Sequence, residues 1–171
     1  MPNIFITGVP RSGKTTLIKR VLDSLNGDKK GFITREVREE GQRTGFEIIT
    51  STGEKTLLAG INIKSHIKVS RYFIDILGFE GLLSPLYNIR KELLYIDEIG
   101  QMELYSNRFQ GLVRLYLDSS NLFLGTISKV YEHPLIREIR KRRDVTLFDL
   151  TSENREEIFR KVHTLISEYR R

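Results

Sequence analysis

The stretch Gly8-Val9-Pro10-Arg11-Ser12-Gly13-Lys14-Thr15-Thr16 constrains this chain more than any other. It satisfies G-x-x-x-x-G-K-[ST] at every required position. The apolar run Asn3-Ile4-Phe5-Ile6-Thr7 precedes it and reads as a buried strand. Leu17 to Leu25 follow it with apolar residues at helical spacing. A loop of this kind between a strand and a helix turns its N–H groups inward as an anion nest, reinforced by the helix start. Gly8 and Gly13 allow the conformations and close approaches that a β-carbon would block. Lys14 is expected to reach the β- and γ-phosphates of a nucleoside triphosphate. The Thr15 hydroxyl is expected to complete the shell of a Mg²⁺ ion, which keeps most of its waters. Thr16 lies near the α-phosphate or caps the first turn. Gly8 to Thr16, with Val9, Pro10, Arg11 and Ser12 between the glycines, form the expected phosphate cradle.

With 171 residues, the chain suits one domain with a real core and is short for two. It has no cysteine, which excludes disulfides, thiolate catalysis and cysteine-based metal sites. Residues 1–7 run as a strand into the loop without a basic leader, and no apolar run reaches the length of a membrane span. These features predict a cytoplasmic protein. The net charge of +6 suits an anionic partner, and a nucleotide is already one. Much of the excess lies in Lys29-Lys30, in Arg137 to Arg143 and in Arg170-Arg171. Solvated helix faces and ends explain these runs better than a nucleic-acid surface, because aromatics are not interleaved with them. His66, His133 and His163 lack partners at metal-ligand spacing.

Downstream, Asn26-Gly27-Asp28 ends the first helix. Segments 31–38, 43–50 and 56–59 then read as strands joined by the turns Glu40-Gly41-Gln42 and Ser51 to Lys55. They predict a small antiparallel insertion over about residues 31–60, carried on a mainly parallel α/β core. Residues 60–70 read as loop, Arg71 to Asp75 as a short extended piece, and Leu77 to Lys91 as holding a helix interrupted by Gly78, Gly81 and Pro85. Leu93-Leu94-Tyr95-Ile96-Asp97 is the second informative run, four apolar residues ending in an acid. Ligands of open parallel sheets sit beyond such strand ends, so Asp97 suits a Mg²⁺-holding role. Glu98 follows directly and is placed to orient and deprotonate an attacking water. Glu103 reads as an exposed residue rather than a second metal or solvent ligand. Leu122 to Thr126 is another buried strand. Thr126 would stand beside Asp97 and act toward the γ-phosphate or the water. His133-Pro134 opens a basic helix, and Val145 to Leu150 is the last strand. Thr151 or Ser152 then caps the final helix, and Asn154 is a candidate base contact.

Five segments occur in an order that resembles the thermophile-type nucleoside-triphosphatases. They are Gly8–Thr16, Gly31-Phe32-Ile33-Thr34-Arg35-Glu36-Val37-Arg38, Arg43-Thr44-Gly45-Phe46, Asp97 to Leu104, and Gly125-Thr126-Ile127. The resemblance covers nearly the whole chain. It implies a single three-layer P-loop domain, Mg²⁺-dependent hydrolysis of ATP, GTP and other triphosphates to diphosphate and phosphate, slow turnover and loose base preference. One departure is plain. The family's loop usually carries a third glycine where this chain has Arg11, and often a small apolar residue in place of Ser12. Arg35, Arg38 and Arg43 lie on the insertion, as surface residues or as cations that close over the γ-phosphate. The rival reading on the same core is a nucleoside, nucleotide or polynucleotide kinase. A guanine-specific switch is disfavoured by the lack of an Asn-Lys-x-Asp run. The expected state is a monomer.

Overall fold

The computed structural model describes residues 2–171. In chain order, the first half of the molecule comprises β1 (Asn3–Gly8), α1 (Lys14–Asp23), β2 (Lys29–Glu39), β3 (Gln42–Thr50), β4 (Lys55–Gly60), β5 (Lys68–Val69), β6 (Tyr72–Ile74) and α2 (Ile76–Leu83). The second half comprises β7 (Leu93–Ile99), α3 (Asn107–Asp118), β8 (Phe123–Ser128), α4 (Pro134–Lys141), β9 (Val145–Asp149) and α5 (Arg155–Tyr169). Short 3₁₀ turns lie at Ser84–Tyr87 and Glu103–Tyr105. The strands form one nine-stranded mixed sheet in the order β5-β6-β4-β3-β2-β7-β8-β1-β9. The five strands from β2 to β9 in that order pair in parallel, and the four beyond β2 pair antiparallel.

Alternation in the parallel strands divides the apolar residues between the two faces of the sheet. From β1, Ile4 and Ile6 pack with Leu17, Ile18 and Val21 of α1 and with Ile158, Val162 and Ile166 of α5. Phe5 faces the other way and joins Phe79 and Leu83 of α2, Phe109 and Tyr116 of α3, and Ile136 and Ile139 of α4. The same split places Leu93 and Tyr95 of β7 on the first face and Leu94 and Ile96 on the second. Helices therefore cover both faces. Phe123 sits at the centre of the second cluster, edge-on to Phe5 at 5.1 Å and to Tyr116 at 5.3 Å between ring centroids.

The helix starts are written in the sequence. Ser106 accepts from the Phe109 amide at the head of α3, Asp75 from the Gly78 amide at the head of α2, and the His133 ring from the Leu135 amide before α4. Pro134 opens α4 at a position that suits proline. No helix is long and apolar enough to cross a membrane.

Two features depart from the sequence expectation. β2 is a strand of the parallel core as well as of the antiparallel part, because Lys29 to Ile33 pair with Leu93 to Asp97 of β7. Its remainder, Thr34 to Glu39, continues beyond Asp97 paired with β3 alone. The antiparallel part also extends past residue 60. Ala59 and Gly60 pair with Ile74 and Phe73, so residues read as loop and short extended piece become β5 and β6 at the sheet edge.

Phe123 is fully buried between two aromatic rings. Phe123→Ala is expected to cost about 3–5 kcal/mol in urea unfolding; a loss below about 1 kcal/mol would show that the core closes without it.

Candidate active site

α1 begins differently from α2, α3 and α4. Its N-cap is Gly13, left-handed at φ 100°, with no side-chain cap and no acid in the first turn. The amides that Ser106, Asp75 and His133 satisfy elsewhere are here directed into a loop. Free helix-start amides of this kind suit an anion. The loop is drawn tight by Ser12 N–H donating to Val9 O at 3.1 Å, and α5 clamps it through Arg155 Nε donating to Ser12 O at 3.0 Å. The Ser12 hydroxyl is buried with no partner inside this cradle. Arg11 at the crest of the loop also has positive φ, 66°. A side chain held there costs roughly 1–2 kcal/mol relative to an ordinary conformation.

The loop forms one wall of a cleft of about 680 Å³. The end of β7 forms the floor. The free length of β2 with β3 supplies the opposite wall, through Thr34, Arg35, Glu36, Arg43 and Phe46. Met102 and Tyr131 close the sides. Lys14 Nζ donates to Gly8 O at 2.7 Å and lies 3.5 Å from Glu98 Oε2.

Asp97 is 1% exposed and receives three side-chain hydrogen bonds. Thr15 Oγ1 donates to its Oδ2 at 2.8 Å and Thr126 Oγ1 to its Oδ1 at 2.6 Å. Thr34 Oγ1 donates to its backbone carbonyl at 2.7 Å. Burial pushes the carboxyl up to about 6, and the two hydroxyls oppose the shift without cancelling it. A buried oxygen ligand short of positive charge, next to a threonine hydroxyl, is a donor set that fits Mg²⁺. Among the described residues, no group of three or more acids and histidines could hold a metal alone. An ion that keeps several waters needs no such group.

The remaining sequence expectations divide. Lys14, Thr15, Asp97 and Glu98 meet in the cleft, along with Gly8, Pro10, Arg11, Ser12, Gly13 and Thr16. Val9 is exposed and lies outside its lining, supplying only its carbonyl to the loop. Thr126 is fully buried outside the lining, and its hydroxyl is spent on Asp97. Asn154 spends both ends of its amide on the loop before α5, accepting from Thr151 N–H and donating to Asp149 O. It is outside the cleft as well, and it, rather than Thr151 or Ser152, is the N-cap of α5. Arg35 pairs with Glu47, Arg38 with Glu36, and Arg43 with Glu36 and the Tyr72 hydroxyl.

Glu103 is the clearest correction. It is 5% exposed and lines the cleft. The 3₁₀ turn folds it back beneath Gly100. A β-carbon on that glycine would lie 2.6 Å from Glu98 Oε1 and 3.1 Å from Glu103 Oε2, so only glycine lets the two carboxylates converge. Burial, and then the Glu98 charge, push the Glu103 carboxyl up to about 8. The spacing Glu-x-Gly-x-x-Glu was the available signal for this convergence, and Thr34 carried none beyond its place in a strand.

A sequence profile of a family described as NTPase matches residues 3–163. The chain belongs to this NTPase family. Nucleoside-triphosphatase THEP1 of Thermotoga sp. (strain RQ2) is 38% identical over 167 residues, covering 95% of this chain and 94% of that protein. The crystal structure of THEP1 from the hyperthermophile Aquifex aeolicus superposes with a TM-score of 0.85 at 37% identity, covering 95% of this chain and 98% of that one. The solution structure of a human cancer-related nucleoside triphosphatase gives 0.86 at 34% identity over the full length of both. Family members thus share the mixed α/β fold built here around the cleft.

The folded protein holds the Glu103 proton more tightly than the unfolded chain does. Its ionisation therefore costs stability as pH rises from about 4.5 to about 8, and the cost levels off above that. In metal-free protein, the stability of Glu103→Gln relative to wild type should increase across that window in urea unfolding. A difference that does not change with pH would contradict the buried, proton-holding state.

Proposed function

We propose that the chain is a Mg²⁺-dependent nucleoside-triphosphate phosphohydrolase that cleaves ATP, GTP and other triphosphates to diphosphate and phosphate, slowly and with loose base preference. It acts as a single three-layer P-loop domain and a cytoplasmic monomer, with nucleic acid not favoured as a partner. The observation that carries the reading is the meeting of an uncapped, glycine-started α1 with a buried acid held by Thr15, and a second acid directly beside Lys14.

In this reading the loop amides and Lys14 bind the β- and γ-phosphates. Thr15 and Asp97 would hold Mg²⁺, which when bound neutralises charge on the phosphate oxygens. Thr126 and Thr34 fix the Asp97 carboxylate and backbone, so that residue is positioned before substrate arrives. Glu98 accepts a proton from water as the water oxygen bonds to the γ-phosphorus in line with the breaking bond to the β–γ bridging oxygen. The electron pair of that bond leaves on the diphosphate. Lys14, 3.5 Å from Glu98, holds the base and the phosphates in one electrostatic unit. The family relatives support the reading through their names, each a nucleoside-triphosphatase.

One observation favours a second reading, a kinase. The cleft continues past the phosphate cradle to Phe46, Val69, Met102 and Tyr131, a half-apolar wall that suits an acceptor. Glu98 beside Asp97 favours water.

Glu98→Gln should bind Mg²⁺–ATP with near wild-type affinity by calorimetry and release phosphate about 100-fold more slowly or worse. Turnover close to wild type would remove Glu98 as the base. Lys14→Ala should lose triphosphate affinity in the same titration, and unchanged binding would refute the phosphate cradle.

A further inference from the structure

The basic side chains lining the cleft are Arg11, Lys14, Arg35 and Arg43. Three of them are spoken for. Lys14 is bonded to Gly8 O and pairs with Glu98, Arg35 pairs with Glu47, and Arg43 is held by Glu36 and the Tyr72 hydroxyl. Arg11 has neither a hydrogen bond nor an ion pair to any described residue. It also occupies the left-handed backbone position, φ 66°, where glycine would sit without strain. A long cation is thus kept at a strained crest of the phosphate loop, with no protein group to receive it. Beside it the Ser12 hydroxyl is buried and has no hydrogen-bond partner.

The charge balance of the cleft gives this cation a task. Asp97 and Glu98 are two carboxyl groups at the reaction centre, and Lys14 already shares its charge with Glu98. Phosphoryl transfer spreads negative charge over the γ-phosphate oxygens, and a mobile guanidinium there is worth far more in the transition state than in the ground state.

We propose that Arg11 closes on the γ-phosphate as it is transferred, so that the chain supplies from its own loop the arginine that other hydrolases receive from a partner. This rests on the hydrolytic reading above. Arg11 donates to the γ-phosphate oxygens in the transition state, and the loop amides retain the β-phosphate.

The test compares wild type, Arg11→Gly and Arg11→Lys in Mg²⁺–ATP phosphate release and in calorimetric binding of ADP with and without aluminium fluoride, a mimic of the transferring phosphoryl group. Arg11→Gly removes backbone strain, so its melting temperature should equal or exceed that of wild type. Its kcat should fall about tenfold or more with KM moving less than about threefold, and its extra affinity for the fluoride complex over ADP alone should shrink in parallel. Arg11→Lys should keep more of both. Wild-type kcat and an unchanged affinity gap in Arg11→Gly would overturn the proposal. If wild type releases no phosphate, the hydrolytic reading fails by itself, and the affinity gap still decides the Arg11 contact.

Discussion

Asp97 is the point on which the site depends. Its carboxylate takes one hydrogen bond from α1 and one from β8, and its carbonyl takes one from β2. Three elements are therefore fixed to one residue near the end of β7. The position is expensive in isolation, because burial raises the carboxyl to about 6. The two threonine hydroxyls reduce that penalty, and a bound divalent cation would reduce it further. A buried acid of this kind gives α1, and with it the phosphate loop, a fixed distance from the strand that carries Glu98.

The sheet explains why the cleft lies where it does. β7 stops pairing with β2 at Asp97, whereas β2 runs on through Glu39 with β3 as its sole neighbour. One strand thus serves as part of the parallel floor and as a free wall above it. The same strand carries Thr34 to Asp97 and Arg35 and Glu36 to the rim. Arg35, Arg38 and Arg43 are each paired within this ribbon, so the wall is held by its own charges. Arg11 faces it from the loop without such a partner.

The parts legible in the sequence are those with local causes. The loop pattern, its flanking strand and helix, and the apolar run that ends at Asp97 need only nearest neighbours in the chain. The antiparallel turns were readable for the same reason. What escaped depends on distant partners. Arg71 to Asp75 reads as extended and holds β6, but its pairing with Ala59 and Gly60, and the strand β5 that pairs with it, depend on residues distant in the chain. Glu103 looks like a surface acid until the turn after Gly100 folds it under Thr34 and Glu98. Thr126 stands beside Asp97 as the strand pattern suggests, and its complete burial, which no local pattern announces, commits its hydroxyl to the acid. Asn154 reads in the sequence as a base contact, and in the structure its amide is spent on its own loop.

The central claim is that the cleft delivers the γ-phosphoryl group to water. The direct measurement is turnover of Mg²⁺–ATP in ¹⁸O-labelled water with no acceptor added, reading the label in the products by mass spectrometry. The account predicts phosphate released with one labelled oxygen and ADP without label. Label in ADP, or no phosphate until an acceptor hydroxyl is supplied, would contradict it.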